Sequence, residues 1–213
     1  MRIYFRFAVY LSAAIWFSAA AATPEVDFFR AVNVDDDRTV RSLLASGLDP
    51  NLTNAQGQPA LVLAMRDDSP KVAAVLLAHP SVRVDAVTAA DETALMLAAM
   101  RGRLEWVQKL AARGAALKRP GWAPLHYACS GPDSLEVVRF LLDQGVDIDA
   151  RSPNGTTPLM MAARYGSQDA AELLLKRGAD VRLLNDRGLN AVEFARGVGR
   201  DRLAERLAQA SKP

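Results

Sequence analysis

Residues 155–181, GTTPLMMAARYGSQDAAELLLKRGADV, decide how this chain folds. Thr157-Pro158 predicts a helix start, with threonine as the cap and proline at the first helical position, where its missing N–H costs nothing. Leu159, Ala162 and Ala163 recur at helical spacing and give a narrow apolar face with small residues. Gly166 breaks this helix. Ala171, Leu174 and Leu175 form the apolar face of a second helix, and Gly178 supplies a left-handed stop. Such a pair cannot bury its apolar face alone, so the rest of the chain should hold copies of it.

The copies are present. The leucine after the turn recurs at Leu61, Leu95, Leu125 and Leu159, with Val192 last, at spacings of 34, 30, 34 and 33. The stop recurs at Gly47, Pro80, Gly114, Gly145 and Gly178, at spacings of 33, 34, 31 and 33. The stretches TALMLAAMRGRLEWVQKLAARGA (93–115) and APLHYACSGPDSLEVVRFLLDQGVDIDA (123–150) repeat the same grammar. In period and motif this chain resembles the ankyrin repeat, a T-P-L-H-like turn followed by two antiparallel helices and a hairpin-like finger. The resemblance implies an all-α solenoid forming one domain over residues 23–213. Its units span about 24–53 (a cap), 54–87, 88–118, 119–151, 152–184 and 185–213 (a second cap).

Two units depart from the pattern. The first lacks the T-P-L-H-like turn before Phe28 and carries Asp35-Asp36-Asp37, read as a solvated helix start in preference to a cation site. The second has Pro80 where the others have glycine, so its finger must leave the helix without a left-handed residue. Spacing shows a third irregularity. The interval from stop to next turn leucine is 11 residues into the fourth unit, against 14 or 15 elsewhere. That finger is short, and the unit gains one residue in Ser130-Gly131-Pro132-Asp133-Ser134 between its helices.

Residues 1–22 are of another kind. Arg2 and Arg6 precede an apolar run, Phe7 to Phe17, and a small-residue tail ending in A-x-A at Ala22. This predicts a secretory signal peptide cleaved after Ala22. The alternatives are an uncleaved anchor, for which a span of 16 residues is short of the ~20 required, and a buried first helix. Loss of both arginines cancels the formal charge of +2, so no general affinity for nucleic acid or membrane follows. The lone Cys129 excludes an internal disulfide, and stability must come from packing.

Little here suggests catalysis. Cys129 takes the place of Ala99 and Ala163 in sister units and reads as a small buried residue. His126 occupies the histidine of the T-P-L-H-like turn, which the resemblance implies steadies the finger by hydrogen bonding. His79 sits at a helix end, and the two histidines fall at unrelated positions. No metal, cofactor or catalytic residue is expected, and the chain lacks phosphate-loop, zinc and nucleophile-elbow motifs.

The resemblance implies instead a protein-binding surface on the fingers and first helices. The outward positions carried over are Gln58, Glu92, Trp122, Thr156 and Leu189, then Arg66-Asp67, Met100-Arg101, Ser130-Gly131, Arg164-Tyr165 and Arg196-Gly197. Trp122, Tyr165, Met100, Arg101, Arg164 and Arg66 are the expected partner-binding residues, because Trp, Tyr and Arg dominate binding hot spots. Trp122 has two readings, an exposed anchor or a plug at the irregular junction. Trp106 lies on a second helix and is expected in the core. The implied protein is a monomer in the bacterial periplasm that binds another protein without catalysis. It would act as a scaffold or helper of an envelope protein, such as a redox or stress enzyme, or alternatively as an immunity protein blocking a toxic effector enzyme. An enzyme using His126 or Cys129 is the weakest reading.

Overall fold

The computed structural model describes residues 23–210, so the leader assigned to 1–22 lies outside the described residues. Among the described residues, twelve helices fall into six antiparallel pairs. The first helices are α1 (Pro24–Asn33), α3 (Ala60–Arg66), α5 (Ala94–Met100), α7 (Pro124–Ser130), α9 (Pro158–Arg164) and α11 (Ala191–Arg196). The second helices are α2 (Asp37–Ala45), α4 (Pro70–Ala78), α6 (Leu104–Ala112), α8 (Leu135–Asp143), α10 (Gln168–Lys176) and α12 (Asp201–Ala210). Each first helix packs on the next first helix, and in the second layer α2 packs on α4, α6 on α8 and α8 on α10, which makes an all-α solenoid.

Local chemistry sets each unit. Thr93 and Thr157 cap α5 and α9 by accepting the N–H of Met96 and Met160. The paired small residues Ala98-Ala99, Ala128-Cys129 and Ala162-Ala163 are all buried, so neighbouring first helices approach closely. A row of Leu61, Leu95, Leu125, Leu159 and Val192 runs through the core from unit to unit. Buried Val72, Val107, Val137 and Ala171 close the second layer. Gly47, Gly114, Gly145 and Gly178 end their second helices at positive φ. At Pro80 the chain leaves α4 through His79 in extended conformation (φ −70°, ψ 129°), the different exit that proline imposes.

The first unit does have a Thr-Pro opening, three residues earlier than the common register. Thr23 caps α1 and Pro24 begins it, so the helix runs one turn longer than its counterparts and Phe28 takes the turn-leucine position. The Asp35-Asp36-Asp37 triplet also does more than dress a helix start. Asp36 caps α2 by accepting from the Arg38 and Thr39 N–H groups, and Asp37 pairs with Arg41. Asp35 adopts a left-handed conformation (φ 55°), and its carboxylate accepts the N–H of Val72 at 2.9 Å. It thereby caps α4 of the next unit, whose own cap residue Ser69 makes no such side-chain bond. Asp35→Ala is expected to cost about 1 kcal/mol in urea unfolding, while Asp35→Asn, which keeps an acceptor and tolerates the conformation, should cost clearly less. Equal losses would remove the capping role.

The inserted loop of the fourth unit is held from inside. Ser134 is fully buried, and its hydroxyl donates to the carbonyls of Ala128 and Gly131. Gly131, carried over from sequence as outward-facing, is buried against the Met100 carbonyl of the preceding unit. Trp106 is likewise less internal than expected. It is half-buried, packed on the core at one side, with the Lys109 ammonium 4.8 Å from its ring centroid on the other.

A candidate protein-binding groove across the last three units

Four of the fingers are hairpin turns, each pinned by one polar side chain at its root. Asn54, Thr88, Ser152 and Asn185 accept the N–H of Gln58, Glu92, Thr156 and Leu189 respectively, closing each turn around a residue of positive φ. In the fourth unit that root position is Lys118, which cannot accept, and the residues missing lie between Gly114 and Lys118. Gly121 keeps the positive φ of the turn tip (75°) and delivers Trp122 directly onto α7. The short finger is tied backward instead. Arg119 reaches the tip of the third finger at Asp91 (2.6 Å), and the Tyr127 hydroxyl donates to Glu92 (3.1 Å). Burial, and secondarily the Glu92 charge, pushes the Tyr127 phenol up to about 12.

His126 ties the finger forward. Its Nδ1 accepts the Ala123 N–H at 3.2 Å, so Nε2 carries the proton and donates to the carbonyls of Ala150 (3.0 Å) and Thr156 (3.1 Å). Burial holds its pKa below the ordinary histidine value, although the two carbonyls at Nε2 favour the protonated ring. Burial likewise drives the Cys129 thiol up, leaving it protonated and fully enclosed. Neither side chain is available as a general base or nucleophile. Thr156, carried over as an outward position, is buried because it belongs to this junction.

Trp122 joins both of its readings. One edge meets the His126 ring at 5.4 Å between centroids and 78° between planes, and the half-buried indole also lines an open groove of about 570 Å³. Arg164 and Tyr165, at the end of α9, line it too, with the guanidinium 5.3 Å from the tyrosine ring centroid and Tyr165 55% exposed. Met161, Leu189 and Phe194 complete its apolar wall, and Asn154, Arg187 and Glu193 its polar rim. Sequence singled out Trp122, Arg164 and Tyr165, and the structure brings these together. It places Met100, Arg101 and Arg66 outside the groove, toward the second and third units. Met100 is half-buried against the core, Arg66 is paired with Asp67, and Arg101 donates to the Arg66 carbonyl. Phe194 and Arg187 were missed, the first because it reads as a helix residue of the closing cap. Its alignment with Met161, two places after the turn leucine of the preceding unit, was the available signal.

A stack of helix pairs joined by hairpin fingers defines a helical repeat protein, with an aromatic groove beside its last fingers. The family model for ankyrin repeats (three copies) matches residues 28–120 and 114–185, and the chain belongs to the ankyrin-repeat family. Repeats of this family are protein–protein interaction modules. The chain is similar to neurogenic locus notch homolog protein 1 of Mus musculus, 38% identical over 111 residues covering 50% of this chain and 4% of that protein. It is also similar to transient receptor potential cation channel subfamily A member 1 of Homo sapiens, 29% identical over 196 residues covering 86% of this chain and 17% of that protein. The chain thus spans a small fraction of the length of these relatives. No helix among the described residues is long and apolar enough to cross a membrane.

Proposed function

We propose that this protein is a non-catalytic interaction module of the bacterial periplasm, binding a protein partner through the Trp122 groove as a scaffold or helper of an envelope protein. The observation that carries the binding reading is the assembly of Trp122, Tyr165 and Phe194 with Arg164 around one open groove drawn from three successive units. Aromatic and arginine side chains combine large contact area with directional polar groups, and these are the types that anchor interfaces. Export rests on Arg2, Arg6, the apolar run and the A-x-A tail. The protein acts there as a monomer, held together by packing between units without a disulfide.

The test is affinity capture from the native cell envelope, with a Trp122→Ala/Tyr165→Ala variant run beside the parent chain. Both side chains are partly or largely exposed, so the variant should fold with an unchanged far-ultraviolet circular dichroism spectrum. A partner held by the parent and reduced by more than about tenfold with the variant is expected, since two hot-spot truncations typically cost over ~2 kcal/mol. A partner retained equally by both would move the interface away from the groove. Capture of a foreign enzyme rather than a resident envelope protein would replace the helper role with that of an inhibitor.

A further inference from the structure

We infer that the groove takes an acidic polypeptide segment carrying an aromatic or long aliphatic side chain, an inference that rests on the binding reading above and names the chemistry of its partner. In the second to fourth units three arginines meet carboxylates: Arg66 bonds Asp67 through two nitrogens (2.8 and 3.1 Å), Arg103 reaches Asp68 (2.9 Å) and Arg119 reaches Asp91 (2.6 Å), while Arg101 and Arg113 donate to backbone carbonyls. Around the groove no such ion pair forms. Arg164, Arg187 and Arg196 are exposed, and no carboxylate among the described residues lies within ion-pair distance of any of them. Glu193 is the one carboxylate lining the groove, and its Oε2 already accepts the Asn190 N–H at 2.9 Å.

The consequence is a directional surface. Arg164 and Arg187 flank an apolar floor formed by Trp122, Tyr165 and Phe194, and Arg196 ends α11 one unit on, as Arg164 ends α9. Two planar guanidinium forks suit carboxylates bidentately, and the floor between them suits one bulky apolar side chain. Arg66, Arg103 and Arg119 of the earlier units already meet carboxylates, whereas Arg164 and Arg187 stand beside an apolar floor, so charge and apolar contact together direct an acidic segment with a bulky side chain to the groove. Nucleic acid fits less well, because basic and acidic residues nearly balance over the chain as a whole.

The test pans a displayed library of random twelve-residue peptides on the immobilised full chain at low salt, then measures synthetic winners by fluorescence anisotropy. The expected winners are rich in Asp and Glu around one aromatic or Leu/Met residue, and their affinity falls with added salt. Affinity should drop at least about tenfold for Arg164→Glu/Arg187→Glu and change less than about twofold for Arg101→Gln. Winners without acidic bias, or unaffected by charge reversal, yet lost with Trp122→Ala/Tyr165→Ala, would overturn the acidic partner while leaving the groove as the binding site. No winners, or winners indifferent to both variants, would overturn the groove as well. Displacement of the peptides by an oligo-dT strand at comparable concentration would assign the groove to nucleic acid and overturn the inference.

Discussion

His126→Ala is expected to lower the stability of the protein by about 3 kcal/mol, measured by urea unfolding. The imidazole is fully buried and makes three bonds, one to the Ala123 N–H and two to the carbonyls of Ala150 and Thr156. Alanine leaves those buried groups without their partner and opens a cavity beneath Trp122. His126→Met is the informative control, because Met96 and Met160 occupy the same position in neighbouring units, with their sulfurs facing the Thr93 and Thr157 N–H groups at 3.4 Å. Methionine fills the space and approximates the Nδ1 contact but cannot donate to the next finger, so its loss should be roughly half as large. Equal stability of all three forms would show that the finger is held by packing alone.

The same residue makes stability depend on pH. Its folded pKa is depressed by burial, below the ordinary value of about 6.5 that applies in the unfolded chain. Above that value both states hold the neutral ring and the contribution is complete. As pH falls below about 6.5 the unfolded chain binds a proton that the folded chain resists, and stability declines until the folded pKa is passed. The His126→Met variant should lose this slope below pH 6.5 while keeping the acid dependence of its carboxylates. A parent and variant with parallel pH profiles would refute the assignment of a neutral, buried ring.

Gly102→Ala should be comparably damaging, at about 3 kcal/mol, for two separable reasons. Gly102 sits at φ +66°, where a side chain is strained by about 1 kcal/mol. A Cβ there would also fall inside contact distance of the Asp133 carbonyl in the inserted loop of the next unit, which is backbone and has little freedom to move. Gly47→Ala isolates the first term, since that glycine has φ +96° and open space around its would-be Cβ. It should cost only about 1 kcal/mol. The difference between the two variants, read from urea unfolding under one condition, measures how tightly the inner loops of the third and fourth units nest. If both cost the same, the close approach contributes nothing.

Much of the architecture was legible because repetition averages out ambiguity. A single T-P-L turn is a weak helix start, but the turn leucine returning at Leu61, Leu95, Leu125 and Leu159 places four starts in one register, and each of them begins a helix whose leucine is buried. The exit forced by Pro80 and the burial of Cys129 followed from the same alignment. The first unit misled for a corresponding reason. Its first helix starts a turn early at Thr23-Pro24, outside the register in which a T-P opening was sought.

The groove was only partly legible. Trp122, Arg164 and Tyr165 stood out by residue type and repeat position, whereas Met100, Arg101 and Arg66 shared those signals and lie elsewhere, taken up by the core, Asp67 and a neighbouring carbonyl. Thr156 and Gly131 occupied nominally outward positions yet are buried, because the short fourth finger and its longer inner loop shift what each neighbour covers.

By itself, then, the sequence determined the repeat, its period, the helix pairs and the location of the irregular unit, all of which depend on near-neighbour spacing along the chain. Tertiary structure alone decided that Asp35 caps the following unit, that Trp122 both seals the His126 junction and faces a groove, and which arginines meet a carboxylate. Those outcomes depend on residues about thirty positions apart meeting across a unit boundary, where a few ångströms of finger length select one partner over another.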